Sequence, residues 1–340
     1  MVCLDAERAG IRSLLVVVCL VCGLILPGCG GGGAPPGPLP PTVIATVTVG
    51  SEPYNVAVNP SFNRIYVTNV LSNTISVIDG AGNTVIATVP VDSYPGGVAV
   101  NPSTNRIYVA NSGSDTVSVI EGPTNAVIET VGVGYNPSGV AVNPSTNRIY
   151  VANWGGHTVS VIDGATNAVI ETVDVGPPGP GYTPKGVAVN PSTNRIYVAN
   201  DDGNTVSVID GATNALTATV SVDGPYPSGI AVNPSTNRIY VSSAGSDIVS
   251  VLDGATNGTI ARVRMRSGTL GVAVNPSTNR IYVANTGDNT VSVIDGGNNT
   301  VIATVAVGSR PLGVAVNPSS NRIYVANHGS NTVTVIDGGG

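Results

Sequence analysis

The chain has 340 residues, of which 43 are Gly and 25 are Pro, and only 10% are charged. Its hydrophobic fraction of 42%, together with its richness in Val, Ile and Thr, excludes a disordered chain and favours many short strands joined by tight turns. The net charge of −6 excludes a basic surface of the kind that binds nucleic acid or anionic lipid.

The first 28 residues are typical of an export signal. Arg8 and Arg12 form a short basic start, and residues 14–26 form an apolar segment of 13 residues, which is short for a membrane span. The Leu-Pro-Gly-Cys sequence that follows resembles a bacterial lipobox, whose cysteine becomes lipid-modified. We therefore predict a signal peptide at residues 1–28 and lipidation of Cys29. An uncleaved anchor helix is the alternative. Both leave the chain exported and tethered at the cell envelope, on the periplasmic side or at the cell surface.

Residues 29–41 combine a Gly run with a Pro-rich stretch, and we predict that they form a spacer between the membrane and a folded domain. All four cysteines lie at or before Cys29. The domain that follows, residues 42–340, therefore has no disulfide, no thiol nucleophile and no Cys-x-x-Cys-His haem motif.

An internal repeat decides the fold class. The motif Asn-Pro-Ser-x-Asn-Arg-Ile-Tyr-Val occurs seven times, with successive offsets of 42, 42, 47, 43, 42 and 42 residues. It begins at Asn59, Asn101, Asn143, Asn190, Asn233, Asn275 and Asn317. The one long offset contains an insert at residues 177–181. A repeat of this length that occurs four to eight times is typical of a β-propeller.

One repeat predicts four strands, which we call a, b, c and d. In the third repeat these are residues 139–143, 148–153, 158–163 and 168–175, separated by turns rich in Pro, Asn and Gly. A d strand at residues 42–49 precedes the first repeat, and the chain stops just after a c strand. We therefore predict an all-β, seven-bladed propeller with four antiparallel strands per blade, in which the N-terminal strand completes the last blade.

The repeat also resembles a known family. Residues 66–69 read Tyr-Val-Thr-Asn, and Tyr-Val-Ala-Asn recurs in five of the later repeats. Over residues 42–337 the chain is similar to the YVTN-repeat (YncE-like) propellers, here in a bacterial lipoprotein form. The resemblance implies an exported envelope protein and names no reaction, because most members have none established.

Each repeat opens strand b with Arg and closes strand c with an acidic residue. Because strands b and c are antiparallel neighbours, we predict one structural ion pair per blade. The pairs are Arg64–Asp79, Arg106–Glu121, Arg148–Asp163, Arg195–Asp210, Arg238–Asp253, Arg280–Asp295 and Arg322–Asp337.

The loops divide between two unequal faces. The a–b and c–d turns are nearly the same in every repeat and form what we call the repetitive face. The b–c and d–a loops form the variable face, where a ligand would meet side chains that differ between blades. The variable face includes the sole Trp, the sole Lys and both His residues. Its candidate binding residues are Glu52, Tyr94, Asn136, Trp154, His157, Tyr182, Lys185, Asp201, Asp202, Tyr226, Arg266, Arg310 and His328.

No motif in the sequence predicts catalysis, a metal site or a cofactor. There is no His-x-x-x-His or Cys cluster for zinc and no Gly-x-Ser-x-Gly elbow, and the Asp-rich stretch at residues 201–204 lacks the spacing of a calcium loop.

Three functions stay open: a non-catalytic binding module, a lactonase-like or quinoprotein-like protein that uses the central funnel, and a structural surface-layer component. We favour the first. We expect a monomer whose partner is an envelope or extracellular protein, a peptide or a glycan, held at the membrane by its lipid and without nucleic acid.

Overall fold

The computed structural model describes residues 39–176 and 182–340. These residues form 28 strands in seven four-stranded antiparallel sheets, without any helix, so none of them forms an apolar helix of membrane-spanning length. The prediction of an all-β, seven-bladed propeller is confirmed. The predicted signal peptide, Cys29, most of the spacer and the insert at 177–181 lie outside the described residues.

The strands follow the order a, b, c, d from the centre of the ring to its edge in every blade. The inner strands a of blades 1 to 7 are β2 (Pro53–Asn59), β6 (Pro95–Asn101), β10 (Pro137–Asn143), β14 (Pro184–Asn190), β18 (Pro227–Asn233), β22 (Thr269–Asn275) and β26 (Pro311–Asn317). The b strands are β3 (Arg64–Asn69), β7 (Arg106–Asn111), β11 (Arg148–Asn153), β15 (Arg195–Asn200), β19 (Arg238–Ser243), β23 (Arg280–Asn285) and β27 (Arg322–Asn327).

The two outer positions repeat just as regularly. The c strands are β4 (Thr74–Asp79), β8 (Thr116–Glu121), β12 (Thr158–Asp163), β16 (Thr205–Asp210), β20 (Ile248–Asp253), β24 (Thr290–Asp295) and β28 (Thr332–Asp337). The d strands of blades 1 to 6 are β5 (Thr84–Pro90), β9 (Ala126–Gly132), β13 (Ala168–Asp174), β17 (Leu216–Ser221), β21 (Thr259–Arg264) and β25 (Thr300–Ala306), and that of blade 7 is β1 (Thr42–Thr48).

The ring closes through β1, as predicted. This strand pairs antiparallel with β28, and Val47 lies opposite Val333. The last blade is therefore made from both ends of the described chain. Closure leaves no open side between the first and last blades, where unpaired strand edges would otherwise be exposed.

The core lies between blades, because the Arg-Ile-Tyr-Val segment of strand b alternates its side chains between the two sheet faces. Tyr66 of blade 1 packs with Ile107 of blade 2, while Ile65 of blade 1 packs with Tyr324 of blade 7. Seven such clusters join the seven pairs of neighbouring blades. Each blade is thus held by apolar burial on both faces.

A ring of asparagine hydrogen bonds runs beneath this core. The last residue of each inner strand donates its Nδ2 hydrogen to the Oδ1 atom of an Asn in the a–b turn of the next blade, at 2.7–2.9 Å. The final bond, from Asn317 to Asn63, returns to blade 1. The acceptor Asn residues have positive φ, a conformation that Asn tolerates better than most residues. The Asn-Pro-Ser-x-Asn motif is therefore a joint between blades.

The predicted ion pairs within blades form in one blade only. Arg64 Nη1 lies 2.5 Å from Asp79 Oδ1. The remaining six arginines, although opposite the predicted acid in the strand register, form no ion pair with it among the described residues. Each donates instead to the carbonyl of the glycine that follows strand c of the next blade. These bonds are Arg106–Gly164, Arg148–Gly211, Arg195–Gly254, Arg238–Gly296, Arg280–Gly338 and Arg322–Gly80.

The acidic side chains of these blades do not face the arginines because they accept hydrogen bonds within their own turns. Asp163 Oδ1 accepts hydrogen bonds from the backbone amides of Ala165 and Thr166, at 2.8 and 3.0 Å. These amide bonds, that of Thr166 above all, lower the pKa of the Asp163 carboxyl, and Asp210 and Asp253 show the same shift for the same reason. The acid therefore shapes the turn, and the turn presents its glycine carbonyl to the arginine of the preceding blade.

We expect the protein to unfold at alkaline pH because of its seven strand-b tyrosines. Burial raises the pKa of each phenol above 10.0, and at Tyr108 the guanidinium of Arg106 opposes that rise only in part. Above about pH 10 the unfolded chain releases these protons and the folded chain keeps them. Stability should therefore fall as the pH rises past 10. Stopped-flow absorbance at 295 nm should show these seven phenols ionising at the unfolding rate. Immediate ionisation of all twelve tyrosines would contradict this expectation.

Closure can be tested at the asparagine ring. Asn317→Ala removes the bond between blades 7 and 1, and Asn59→Ala removes its equivalent between blades 1 and 2. Each should lower the free energy of unfolding by about 1–3 kcal/mol, because a buried partner loses its hydrogen bond. Urea denaturation measures both losses. A silent Asn317→Ala beside a destabilising Asn59→Ala would show that the ring does not close in solution.

Candidate functional site

The d–a loops build the variable face through a strained backbone position. The residue just before the inner strand has positive φ in six of the seven blades, and glycine occupies that position only in blade 6. These residues are Glu52, Tyr94, Asn136, Tyr226, Gly268 and Arg310. This conformation costs most non-glycine residues about 1–2 kcal/mol, so the loops hold five side chains in place against a conformational cost.

Neighbouring loops fix this conformation. The backbone amide of Tyr94 donates to Asn73 Oδ1 at 2.9 Å, and that of Glu52 donates to Asn331 Oδ1 at 2.9 Å. The carbonyl of the strained residue, in turn, accepts the amide of the residue that follows strand b, as when Trp154 donates to Asn136 at 2.9 Å. The seven residues that follow strand b therefore have fixed places around the funnel, and we call them the rim. The rim consists of Val70, Ser112, Trp154, Asp201, Ala244, Thr286 and His328.

Below the rim, the second residues of six of the inner strands line a throat of about 230 Å³. The next position in six of the strands is glycine, because the inner strands converge at the ring's centre. A Cβ on Gly139 would lie 2.2 Å from the carbonyl oxygen of Lys185 in the next blade. Only a residue without a side chain allows this approach.

A groove of about 390 Å³ lies on the variable face, mostly across blades 1 to 4. It is lined by six predicted candidates, Tyr94, Asn136, Trp154, Lys185, Asp201 and His328. It is also lined by six residues outside that list of candidates, Tyr54, Val70, Gly96, Ser112, Pro137 and Ser138. The sole Trp, the sole Lys and one of the two His residues thus lie around the same groove.

The charged groups of the groove face each other in two pairs. Lys185 Nζ lies 3.5 Å from Asp201 Oδ2, and His328 Nε2 lies 3.4 Å from Glu52 Oε2. Burial raises the pKa of the Asp201 carboxyl, and the nearby Lys185 ammonium offsets part of that rise. Asp201 Oδ1 and His328 Nδ1 are buried and have no hydrogen-bond partner among the described residues.

Three predicted binding residues brace a loop instead of lining the groove. His157 Nδ1 lies 3.0 Å from the carbonyl oxygen of Tyr182, and Thr183 Oγ1 donates to Asp202 Oδ2 at 3.1 Å. These contacts hold Tyr182 and Thr183, just before strand β14. His157 occupies the position that Asn or Asp fills in other blades, so its role is a structural one at that position.

Three further candidates, Tyr226, Arg266 and Arg310, are exposed and lie outside the groove lining. Glu52 also lies outside it but reaches the groove through its contact with His328. No cluster of three or more His, Cys, Asp or Glu side chains within residues 39–176 and 182–340 has the arrangement of a metal site.

Known proteins match the fold of this chain. Residues 135–162 and 309–336 match the NHL repeat family, and each segment runs from a d–a loop through strands a, b and c of blades 3 and 7. The chain is similar to the solved structure of Kuenenia stuttgartiensis hydrazine synthase, with a TM-score of 0.77 and 21% identity, covering 84% of this chain and 95% of that chain. At that identity the likeness shows the propeller fold alone. No curated protein matches this chain.

The strain in the d–a loops is testable at Arg310, which has a φ of 51° and makes no side-chain hydrogen bond or ion pair with the described residues. Arg310→Gly should raise the free energy of unfolding by about 0.5–1 kcal/mol, because relief of strain exceeds the extra flexibility of an unfolded glycine. Arg266→Gly is the control, since Arg266 is exposed but has no positive φ. It should give no gain. Thermal and urea denaturation measure both, and a less stable Arg310→Gly would contradict strain at this loop.

Proposed function

We propose that this protein is an exported, lipid-anchored propeller of the YVTN-repeat (YncE-like) type, that it acts as a non-catalytic binding module, and that its ligand binds in the groove of the variable face. One observation supports this most: six unusual side chains, five from loops and Lys185 from the inner strand β14, line a single groove. The repeats are otherwise nearly identical, so packing of the ring does not require this concentration of aromatic and polar groups.

The asymmetry of the rim supports binding in one sector. Blades 5 and 6 place Ala244 and Thr286 on the rim, whereas blades 3 and 4 place Trp154 and Asp201 there. Trp154 is 39% exposed, although a large aromatic side chain is usually well buried. An exposed aromatic residue beside buried polar groups is typical of a ligand-binding site.

The arrangement favours recognition over reaction chemistry. The Lys185 ammonium faces the Asp201 carboxylate, and the Glu52 carboxylate contacts the His328 ring, so both carboxylates already have a polar contact. Hydrogen bonds between loops fix the rim residues before any ligand arrives, which reduces the entropy cost of binding. The likeness to hydrazine synthase concerns the fold, so it adds no argument for catalysis.

Export and anchoring rest on the amino-acid sequence. The apolar leader, Cys29 and the Gly/Pro-rich spacer precede Thr42, where β1 begins in the last blade. A lipid on Cys29 would tether the propeller by a spacer of only about a dozen residues. A short tether keeps the propeller near the membrane, where an envelope or extracellular partner is available.

Trp154→Ala tests the proposed function. It should weaken capture of the envelope partner at least about tenfold, as expected for an aromatic residue central to an interface. It should leave the melting temperature nearly unchanged, because the side chain is partly exposed. Phe62→Ala is a matched control, since Phe62 is an exposed aromatic residue, 55% accessible, on the repetitive face. Crosslinking in native envelopes followed by mass spectrometry gives the readout.

Two outcomes would contradict the proposal. Equal loss of capture in Trp154→Ala and Phe62→Ala would show that the groove has no special role. A large drop in melting temperature for Trp154→Ala would show that its ring serves the packing of blade 3.

A further inference from the structure

The two unpartnered atoms of the groove have the same hydrogen-bonding character. If His328 Nε2 carries the ring hydrogen toward Glu52, as the 3.4 Å contact favours, then Nδ1 has a free lone pair and is an acceptor. Asp201 Oδ1 is an acceptor whenever the carboxyl is ionised. Both atoms are buried and have no partner among the described residues. Because both atoms are shielded from solvent, a ligand satisfies them only when the two side chains turn toward the groove, and it must then offer at least two O–H or N–H donors.

The rest of the groove lining indicates what the ligand must present besides those two donors. Tyr54, Tyr94 and Trp154 bring three aromatic side chains to its walls, while Asn136 and Ser138 add amide and hydroxyl groups. A ligand must therefore combine apolar faces with a polar edge. Sugar rings have this character: their C–H faces contact aromatic rings, and their hydroxyls both donate and accept hydrogen bonds.

The charge balance argues against an ionic ligand. The only lysine of the chain already faces Asp201, so no free cation is present on the groove lining to hold a phosphate or a carboxylate. The one carboxylate of the lining, Asp201, likewise has Lys185 beside it, which weakens attraction for a free amine.

From these observations we infer that the groove binds a neutral oligosaccharide, with sugar rings against Trp154 and Tyr94 and hydroxyls donating to Asp201 and His328. This inference rests on the proposed function and makes its ligand class specific.

The sole tryptophan makes the experiment direct, since all tryptophan emission of the chain comes from Trp154. Full-length protein in mild detergent is titrated with maltotriose, cellotriose, mannotriose and tri-N-acetylchitotriose, followed by emission and by calorimetry. At least one trisaccharide should bind saturably. Asp201→Ala should weaken that binding about tenfold or more, as expected for loss of a hydrogen bond to a charged group. Asp288→Ala, at an exposed aspartate of blade 6 outside the groove, should leave the affinity unchanged.

Asp201→Asn is a second variant, made in case Asp201→Ala folds poorly. It keeps the side-chain size and one acceptor oxygen, so it should bind the trisaccharide more tightly than Asp201→Ala does. Failure of all four sugars to bind would overturn the inference, as would binding of tetramethylammonium or a short peptide in their place. The proposed function is judged separately by partner capture. If Trp154→Ala abolishes capture while no sugar binds, the binding module stands and the sugar inference fails.

Discussion

The contact between neighbouring blades is the constraint on which the rest of the structure depends. A single four-stranded sheet of this chain cannot bury either of its faces alone, so each blade is stable only between two others. The strand-b tyrosine and isoleucine meet that requirement on opposite faces, and the Asn–Asn and Arg–glycine bonds fix how closely the blades approach. Ring closure through β1 gives the last interface the same apolar cluster and Asn–Asn bond as the other six. Seven similar interfaces need a nearly invariant motif, which explains why the sequence repeats so closely.

Because the packing between blades lies largely away from the variable face, the residues of that face can differ from blade to blade. Because packing is completed by strands b and c and by the turns of the repetitive face, the d–a and b–c loops carry residues that the ring does not need. The loops are not free in conformation, however, since side chains such as Asn73 and Asn331 hold strained residues in place. Trp154 and Asp201 therefore project from fixed positions. A rigid rim with variable side chains is a suitable design for selective binding.

Much of the fold could be predicted from the amino-acid sequence, because period-2 alternation and turn residues recur seven times and each repeat supports the others. The arginine contacts could not. Strand register places Arg148 opposite Asp163, but the sequence does not reveal that the backbone amides of the turn take the carboxylate and that the next blade offers a carbonyl. The groove was predictable only in part. Loop variation indicated Trp154 and Asp201. Lys185, Tyr54 and Ser138 occupy the second position of three inner strands, whose inward direction depends on the convergence of blades at the axis, so the sequence did not show that they share one groove.

The exception at Arg64 has a consequence at one joint of the ring. This arginine bonds Asp79 of its own blade, so among the described residues no arginine reaches the Gly122 carbonyl in blade 2. Six joints of the ring have both the Asn–Asn bond and the Arg–glycine bond. The joint between blades 1 and 2 keeps the Asn–Asn bond, and Thr68 Oγ1 of blade 1 also donates to the Gly96 carbonyl of blade 2 at 2.9 Å. That joint lies under the groove, with Tyr54 and Val70 on one side and Tyr94 on the other. Gly96 itself lines the groove, so at this joint a polar bond between blades is made at the wall of the groove.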